Sequence, residues 1–323
     1  MRTSHPRSPF RALQLRVHDY SWPVASTVWF VGVSTGKSLI HEAFPIWMGD
    51  LGLDVRLVGR DVPLAAPGEA YRAMMTELAG SDDVRGAVIT THKVALLREA
   101  GDLVDWLDPL AAECGEVNAL RRETGRLAGF ARDPISIGRV VDDICPDGEH
   151  VVCLGAGGSA IALGRHLLAR PVPPNRLVFT DRSGAAGRHL QAVLGPWAES
   201  RRVRLEVHID AGPWDHLVPS GPPGTLVVNA TGLGKDRPGN PLSPVAQFPP
   251  AALVWDLNYR GDLAMLRQAR AHDGLVVHDG WQLFCHGWAA ALGPILDLPN
   301  ELDTAGRFAM LTAPLHARPD ACR

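Results

Sequence analysis

The stretch His150-Val-Val-Cys-Leu-Gly-Ala-Gly-Gly-Ser-Ala160 decides the fold. Its first five residues predict a buried strand, and the apolar spacing after the glycines predicts a helix over 160–169. The glycines themselves fit the pattern G-x-G-x-x-G/A. In this pattern the first glycine permits a tight turn, the second lets the backbone approach a pyrophosphate, and a small last residue lets the helix pack on the strand. The stretch therefore predicts a dinucleotide-binding turn, with a tight turn that holds no ligand as the alternative.

The next predicted strand, 176–181, ends in Asp181. This position is near the ~20-residue spacing at which an acidic side chain binds the ribose hydroxyls of a dinucleotide. A carboxylate there also repels a 2′-phosphate, although Arg182 beside it attracts one. We therefore expect NAD as the cofactor in preference to NADP. The predicted cofactor-binding residues of this region are Gly155, Ala156, Gly157, Gly158, Ser159, Asp181 and Arg182.

Strands and helices alternate on both sides of this unit. Before it, the apolar patterns predict strands over 27–33, 54–59 and 86–91 and helices over 39–53, 69–79 and 93–100. A turn-rich segment, 122–126, predicts a hairpin between the runs 117–120 and 127–130. After it, the patterns predict strands over 225–229, 253–256 and 275–278 and helices over 263–272 and 281–296. This alternation is typical of α/β layers around mostly parallel sheets.

The composition is that of an ordinary globular protein. Of the 323 residues 46% are hydrophobic, and the formal net charge of −3 gives no support to nucleic acid as a partner. No apolar run approaches the ~18–20 residues that span a membrane, and the N-terminal residues lack the continuous apolar core of a secretory signal. The five cysteines form no CxxC pair, which favours free thiols in a reducing compartment. We therefore expect a cytoplasmic protein.

Lysine is rare in this chain. Of the 32 basic residues only Lys37, Lys93 and Lys235 are lysines, and the rest are arginines. A chain that solvates its surface with arginine has little such use for lysine, whose compact ammonium group has a pKa that proteins can tune for proton transfer. All three lysines are therefore candidates for a functional role, with three accidental surface lysines as the alternative.

A loop near the N-terminus resembles a nucleotide-binding P-loop. It runs Gly32-Val-Ser-Thr-Gly-Lys-Ser38, between a predicted strand and a predicted helix. A P-loop needs four residues between its glycines, and this loop has three. A loop shortened in this way would move its N–H groups away from the phosphates. An ATP-binding enzyme consequently remains only an alternative interpretation.

Two other residues suggest proton transfer. Lys93 ends the segment Ile89-Thr-Thr-His-Lys93, and Asp133 follows the predicted hairpin, where the α/β pattern restarts. A lysine and an aspartate brought together beside a nicotinamide could relay a proton to or from a substrate oxygen. Taken alone, a surface lysine and a helix-capping aspartate are the plainer interpretation. His92 alternates to the opposite face and is expected to pack, and the chain contains no metal-binding spacing, so no metal is predicted.

These pieces, in this order, resemble the shikimate/quinate dehydrogenase family over about 28–294. The segments that carry the resemblance are Ser34-Thr-Gly-Lys-Ser-Leu-Ile-His-Glu-Ala-Phe44, Ile89-Thr-Thr-His-Lys93, Gly115-Glu-Val-Asn-Ala-Leu120, Gly129-Phe-Ala-Arg-Asp133, Gly155-Ala-Gly-Gly-Ser-Ala160, Asn229-Ala-Thr231, Asp256-Leu-Asn-Tyr259 and Asp279-Gly280. The resemblance implies an α/β fold with an N-terminal α/β substrate domain, a Rossmann-type doubly wound dinucleotide-binding domain and a cleft between them. It implies an N-terminal arm (1–26), a substrate-binding and catalytic domain (27–133 and 281–323) and a Rossmann NAD(P)-binding domain (134–280).

The resemblance also implies roles for single residues. Lys93 and Asp133 match the catalytic pair. The residues that match the substrate site, or replace its side chains, are Thr35, Lys37, Ile89, Asn118, Tyr259 and Gly287. Those that match the cofactor site beyond the glycine-rich turn are Thr231, Leu257 and Gly280.

Several of these positions depart from the family pattern. A Ser-x-Ser motif that binds the substrate carboxylate aligns with Thr35-Gly36-Lys37, so that an ammonium group replaces one hydroxyl. Ala87 and Ile89 replace polar partners of the ring hydroxyls, and Gly287 replaces a glutamine. We therefore expect shikimate to be a poor substrate, with Lys37 contributing to the difference.

The resemblance implies an NAD(P)-dependent oxidoreductase. Its expected substrate is a secondary alcohol, or the matching ketone, of a cyclic polyol or acid that resembles shikimate, quinate, aminoshikimate or a carbasugar. The expected partners are this small molecule and the cofactor, without nucleic acid or membrane, in a monomer or homodimer. A non-catalytic ligand sensor on the same fold is the alternative from another class, although a sensor has no need of Lys93 and Asp133.

Overall fold

The structure, a computed structural model, describes residues 26–235, 238–298 and 301–318. The predicted N-terminal arm lies outside the described residues except for Ser26. Within the described part of the chain, no helix is long and apolar enough to cross a membrane. The same residues contain no group of three or more His, Cys, Asp or Glu side chains that could hold a metal ion.

The first part of the chain forms a six-stranded sheet in the order β2-β1-β3-β5-β6-β4. Its elements are β1 (Ser26–Gly32), α1 (Ile40–Leu51), β2 (Val55–Asp61), α2 (Gly68–Gly80), β3 (Val84–Ile89), α3 (Lys93–Ala100), β4 (Trp106–Leu107), α4 (Pro109–Cys114), β5 (Ala119–Glu123) and β6 (Arg126–Phe130). Strand β1 pairs in parallel with β2 and β3, whereas β5 runs antiparallel to β3 and β6. The predicted hairpin is confirmed: β5 and β6 join through Thr124 and Gly125, at φ 47° and 79°, the positive values that suit a two-residue hairpin turn.

The second sheet is entirely parallel and has the order β12-β11-β10-β7-β8-β9. Its elements are α5 (Asp133–Ile144), β7 (His150–Leu154), α6 (Gly158–Ala169), β8 (Arg176–Asp181), α7 (Gly184–Arg201), β9 (Arg204–Ile209), β10 (Leu226–Asn229), β11 (Leu253–Asp256), α8 (Ala264–Arg270) and β12 (Val276–His278). The chain winds from β7 outward to β9 and then crosses to β10 on the other side. This doubly wound topology confirms the predicted fold class, and its switch point between β7 and β10 is where such sheets bind ligands.

The chain ends with two helices, α9 (Trp281–Leu296) and α10 (Glu301–His316). Helix α9 packs against β3 and β5 of the first sheet and against α5, and α10 packs against α1. Aromatic contacts fix this arrangement, because Trp288 meets Phe30 edge-on at 5.1 Å and Phe308 stacks on Trp47 at 4.2 Å. The last helices therefore share a core with the first sheet, and α9 places Gly287 on the lining of the same cavity as Lys93.

Candidate active site between the two sheets

A cavity of about 400 Å³ lies between the two sheets, a size usual for small-molecule sites. The predicted residues that line it from the first sheet and the last helices are Thr35, Ile89, Lys93, Asn118, Asp133 and Gly287. Those that line it from the second sheet and its loops are Gly157, Gly158, Ser159, Asp181, Arg182, Thr231, Leu257, Tyr259 and Gly280. Residues distant in sequence thus meet around one cavity, and Lys235 and Arg260 add positive charge to its wall.

Lys93, Asp133 and Asn118 form a connected group on this wall. The Lys93 ammonium donates to Asp133 Oδ2 and lies 3.3 Å from Ser159 Oγ. Asn118 Nδ2 donates to Asp133 Oδ1 at 2.6 Å, while Asn118 Oδ1 accepts from the Arg132 backbone N–H at 2.7 Å. Only 12% of the Lys93 side chain and 11% of the Asp133 side chain are exposed. A cation and an amide therefore hold the carboxylate in a fixed orientation in a nearly dry site.

The charge of Lys93 follows from its surroundings. Burial lowers the pKa of the ammonium, but the Asp133 and Glu116 carboxyls together outweigh burial and hold this pKa above its usual value. Lys93 is therefore protonated at neutral pH. A protonated lysine can donate a proton to a substrate oxygen. It must first lose this proton to another group before it can act as a base.

His92, next in sequence, is buried away from the cavity. Its Nε2 lies 2.8 Å from the Val62 carbonyl and its Nδ1 lies 2.9 Å from the Tyr71 hydroxyl. Burial lowers the pKa of His92, so the ring is neutral. This agrees with the packing role predicted from the alternation.

Sequence reasoning missed Glu116, which lies in the loop between α4 and β5. The residue is fully buried, and neither carboxyl oxygen has a hydrogen-bond partner among the described residues. Burial raises the pKa of Glu116 to about 8; the Lys93 charge lowers it and Asp133 raises it. The sequence did contain a sign of this residue, because Glu116 is an acidic residue between Gly115 and Val117 in a run of otherwise small and apolar residues.

The structure does not place Lys37 on the cavity wall, as the predicted substrate-binding role would require. The short 3₁₀ helix Thr35–Lys37 leaves Lys37 exposed and outside the cavity lining, while the next residue, Ser38, lines the cavity. Ser38 Oγ lies 3.2 Å from the hydroxyl of Tyr259, so these two side chains form the polar part of this wall. In this short loop the conformation of the backbone decides which of two adjacent side chains faces the cavity.

Thr35 also differs from the expectation of a free hydroxyl. Its backbone N–H and its hydroxyl both donate to Asp61 Oδ1, at 2.8 and 2.6 Å, and the Thr35 side-chain bond is the main reason why the pKa of Asp61 is lowered. The Asp61 carboxylate therefore already accepts the hydrogen bond of a loop N–H group that a P-loop would donate to a phosphate. This arrangement argues against the ATP-binding alternative.

The glycine-rich turn has the geometry that a dinucleotide needs. Gly155 has φ +119°, and a Cβ there would lie 2.8 Å from the Ala230 carbonyl group, so only glycine fits. The Ala156 N–H donates to Asp181 Oδ2 at 2.9 Å. Gly155 and Ala156 therefore stabilise the turn from outside the cavity lining. Gly157 and Gly158, at the N-terminus of α6, line the cavity.

Close packing and hydrogen bonds also fix other residues that are predicted to bind the cofactor. Gly280 lies so close to the Leu257 carbonyl that a Cβ would overlap its oxygen. Thr231 Oγ1 donates to Asn229 Oδ1 at 2.7 Å, and Asn229 Nδ2 donates to Asp256 Oδ2 at 3.0 Å. Together with free space at Gly157, where a Cβ would meet nothing within 4 Å, these features fit a nicotinamide dinucleotide laid along the carboxyl ends of the strands.

Comparison with known proteins agrees with this fold. The chain is 32% identical over 209 residues to the shikimate dehydrogenase (NADP(+)) of Symbiobacterium thermophilum, covering 63% of this chain and 67% of that protein. It is 31% identical over 266 residues to that of Methylocella silvestris, covering 79% and 86%. The structure of quinate dehydrogenase from Corynebacterium glutamicum in complex with NAD superposes with a TM-score of 0.65 at 21% identity, covering 88% of this chain and 99% of that one. No protein-family model matches the chain.

These relatives and the site define the class of protein. The chain belongs to the shikimate/quinate dehydrogenase family, whose members are oxidoreductases that act on CH–OH groups and use a nicotinamide cofactor.

Proposed function

We propose that this protein transfers a hydride between NAD(P) and a secondary alcohol or ketone of a cyclic polyol, with Lys93 and Asp133 as its proton-transfer pair. The supporting observation is that Lys93, Asp133 and Asn118 line the same cavity as the glycine-rich turn, with Lys93 Nζ 3.3 Å from Ser159 Oγ of that turn. The nicotinamide supplies or accepts the hydride. The chain supplies a protonated, nearly buried lysine and the walls that exclude water.

The roles of the side chains follow from their contacts. In the reductive direction Lys93 Nζ donates a proton to the carbonyl oxygen of the substrate as the hydride arrives. Asp133 holds the ammonium, and its remaining lone pairs accept from a substrate hydroxyl. Asn118 fixes the Asp133 carboxylate from the other side. Ser38 and Tyr259 offer hydroxyls to the far edge of the ring.

The pocket is proposed to disfavour shikimate. Ile89 is buried at the cavity wall and offers no hydrogen bond to a ring hydroxyl. A hydroxyl buried there without a partner loses about 1–3 kcal/mol, or about tenfold to a hundredfold in affinity. Gly287 leaves space, since a Cβ there would meet only Ser136 Oγ, at 4.0 Å. A ring with a bulkier or different substituent fits this combination better.

NAD is the proposed cofactor, in preference to NADP. Asp181 lies at the cavity with its carboxylate held by two backbone N–H groups, from Ala156 and Ser183. Its remaining lone pairs can accept from ribose hydroxyls, and its charge repels a 2′-phosphate. Arg182 beside it is exposed and works in the opposite direction.

A cofactor-coupled screen tests the proposal. Purified protein is incubated with a panel of cyclic polyols and the matching ketones, with each cofactor, and the absorbance of NAD(P)H is followed. Lys93→Ala should reduce turnover of any substrate found by ~10²–10⁴-fold while dinucleotide binding stays nearly unchanged. Lys37→Ala is the matched control, because this lysine is exposed and outside the cavity lining.

Two results would contradict the proposal. Near-normal turnover in Lys93→Ala would remove Lys93 from the chemistry. Binding of ligand and dinucleotide without any turnover would identify the protein as a ligand sensor on this fold.

A further inference from the structure

Glu116 is a buried acidic group beside Lys93 and the first turn of α6, outside the cavity lining, and the reaction scheme above does not use it. It is 0% exposed, and its two carboxyl oxygens have no hydrogen-bond partner among the described residues. Burying an ionised carboxylate without partners destabilises the folded state by several kcal/mol. A buried carboxyl of this kind is therefore expected to be neutral or to serve a function.

The Glu116 carboxyl and the Lys93 side chain converge on the first turn of α6. A Cβ built on Gly158 would overlap Glu116 Oε2 and would lie 3.5 Å from Lys93 Cδ. The Lys93 ammonium reaches Ser159 Oγ, one residue further along the same turn. The backbone joins the two groups as well, because the Val117 N–H donates to the Lys93 carbonyl at 3.3 Å.

Several charged and titratable groups lie near Glu116. The Lys93 ammonium from α3 favours the carboxylate, as does the positive N-terminal end of α6. The Asp133 carboxylate from α5 favours the acid, and Cys114 of α4 is a neutral thiol whose pKa burial raises to about 12. The ring of His189 from α7 packs against the neighbouring Gly115. Burial is the largest influence, and it leaves Glu116 protonated at neutral pH.

We propose that Glu116 is a proton store that reloads Lys93, and so acts on the reaction through Lys93. The inference rests on the proposed function and extends it. In the reductive direction an N–H bond of Lys93 breaks as the substrate O–H bond forms, which leaves a neutral amine. The neutral amine, no longer held by the Asp133 charge, turns to the Glu116 carboxyl, with which Lys93 makes no hydrogen bond at rest. The Glu116 O–H bond then breaks and its proton passes to Lys93 Nζ, leaving a carboxylate that solvent later reprotonates. In the oxidative direction each bond change is reversed.

The store also keeps the charge of the site constant. The oxidised cofactor carries one positive charge more than the reduced form. Glu116 gains one negative charge in the same step, while Lys93 and Asp133 end as they began. A nearly dry cavity favours such a compensated change, because an uncompensated charge is expensive in a medium of low polarity.

The first test needs no substrate. In protein labelled with ¹³C at glutamate carboxyls, the resonance of Glu116, assigned by its loss in Glu116→Gln, should titrate with a midpoint near pH 8. In Lys93→Met, which leaves Glu116 in place, the midpoint should move upward because a nearby positive charge is lost. Glu113→Gln is the control, since Glu113 lies on the neighbouring exposed surface and pairs with Arg165. A midpoint in the ordinary glutamate range, or no shift in Lys93→Met, would overturn the proposal.

The second test uses turnover. Glu116→Gln should lower the steady-state reductive rate by about 10²-fold but spare the first turnover, because Lys93 is already protonated. The decline of the wild-type rate above about pH 8 should disappear in the variant. A merely structural role would lower the rate and keep that decline, and this result would refute the proton store. If no substrate is turned over at all, the proposed function fails, while the carboxyl titration still decides on Glu116.

Discussion

Glu116→Gln should change how the stability of the protein depends on pH. Folding raises the pKa of this carboxyl from 4.5 to about 8, with burial as the main cause. Between these values the unfolded chain has lost the proton that the folded chain keeps. Stability contributed by this group is therefore complete below pH 4.5, falls as the pH rises, and reaches its minimum above about pH 8.

The size of the effect follows from the same two values. Each unit between them is worth about 1.4 kcal/mol, so at pH 7 the wild-type protein has lost about 3 kcal/mol relative to pH 4.5 through this residue. Glutamine is a neutral group of the same shape and carries no titrating proton. The variant should thus match the wild type near pH 4.5 and exceed its free energy of unfolding by about 3 kcal/mol at pH 7.

Urea unfolding at a series of pH values measures this difference, with tryptophan fluorescence as the probe. All titrating groups other than Glu116 are present in both proteins, so the difference between the two curves reports on Glu116 and on its coupling to Lys93. Glu113→Gln controls for the loss of an exposed glutamate in the same region. Parallel curves for wild type and Glu116→Gln would show that Glu116 titrates normally and would refute the description of the site.

Three further predictions concern the cofactor turn and the pocket. Asp181→Asn should raise kcat/KM for NADP relative to NAD, because the charge that repels a 2′-phosphate is lost; a ratio that already favours NADP in the wild type would contradict this. Ile89→Thr should improve the kcat/KM of shikimate by about tenfold, since it gives a ring hydroxyl a partner, and an unchanged value would exclude Ile89 as a specificity residue. Gly158→Ala should weaken dinucleotide binding measured by fluorescence titration, because the new methyl group overlaps Glu116 Oε2. Adding Glu116→Ala should restore part of the loss, and equal losses in both proteins would mean that the overlap has no effect.

Periodicity in the sequence predicted most of the strands, because buried parallel strands are apolar runs bounded by turns. It missed α7, whose sequence contains two internal glycines and Pro196; the hydroxyl of Ser183 caps this helix by accepting from the Ala186 N–H at 3.2 Å. It also missed α4, six residues long and capped by Asp108. Tertiary packing and capping, more than propensity, hold such helices, and neither is visible in the apolar pattern.

The candidate site could be predicted where backbone position alone decides the role. The glycine-rich turn is of this kind, because its strand and its helix are both visible in the apolar pattern. The pairing of Lys93 with Asp133 came from the family resemblance, since nothing in their spacing shows that the two residues meet. Lys37 could not be placed, since the direction of a side chain in a three-residue 3₁₀ turn depends on the turn itself. Glu116 could not be recognised either, because its role follows from burial against Gly158, a contact that joins two distant parts of the chain.

Isotope transfer tests the central claim most directly. The protein is given a reduced nicotinamide dinucleotide with deuterium at both C4 positions, together with the ketone that the screen identifies. We expect the product to carry one deuterium on the carbinol carbon in the wild type, with transfer greatly slowed in Lys93→Ala and normal in Lys37→Ala. A product formed without deuterium at that carbon would contradict hydride transfer from the nicotinamide across this cavity.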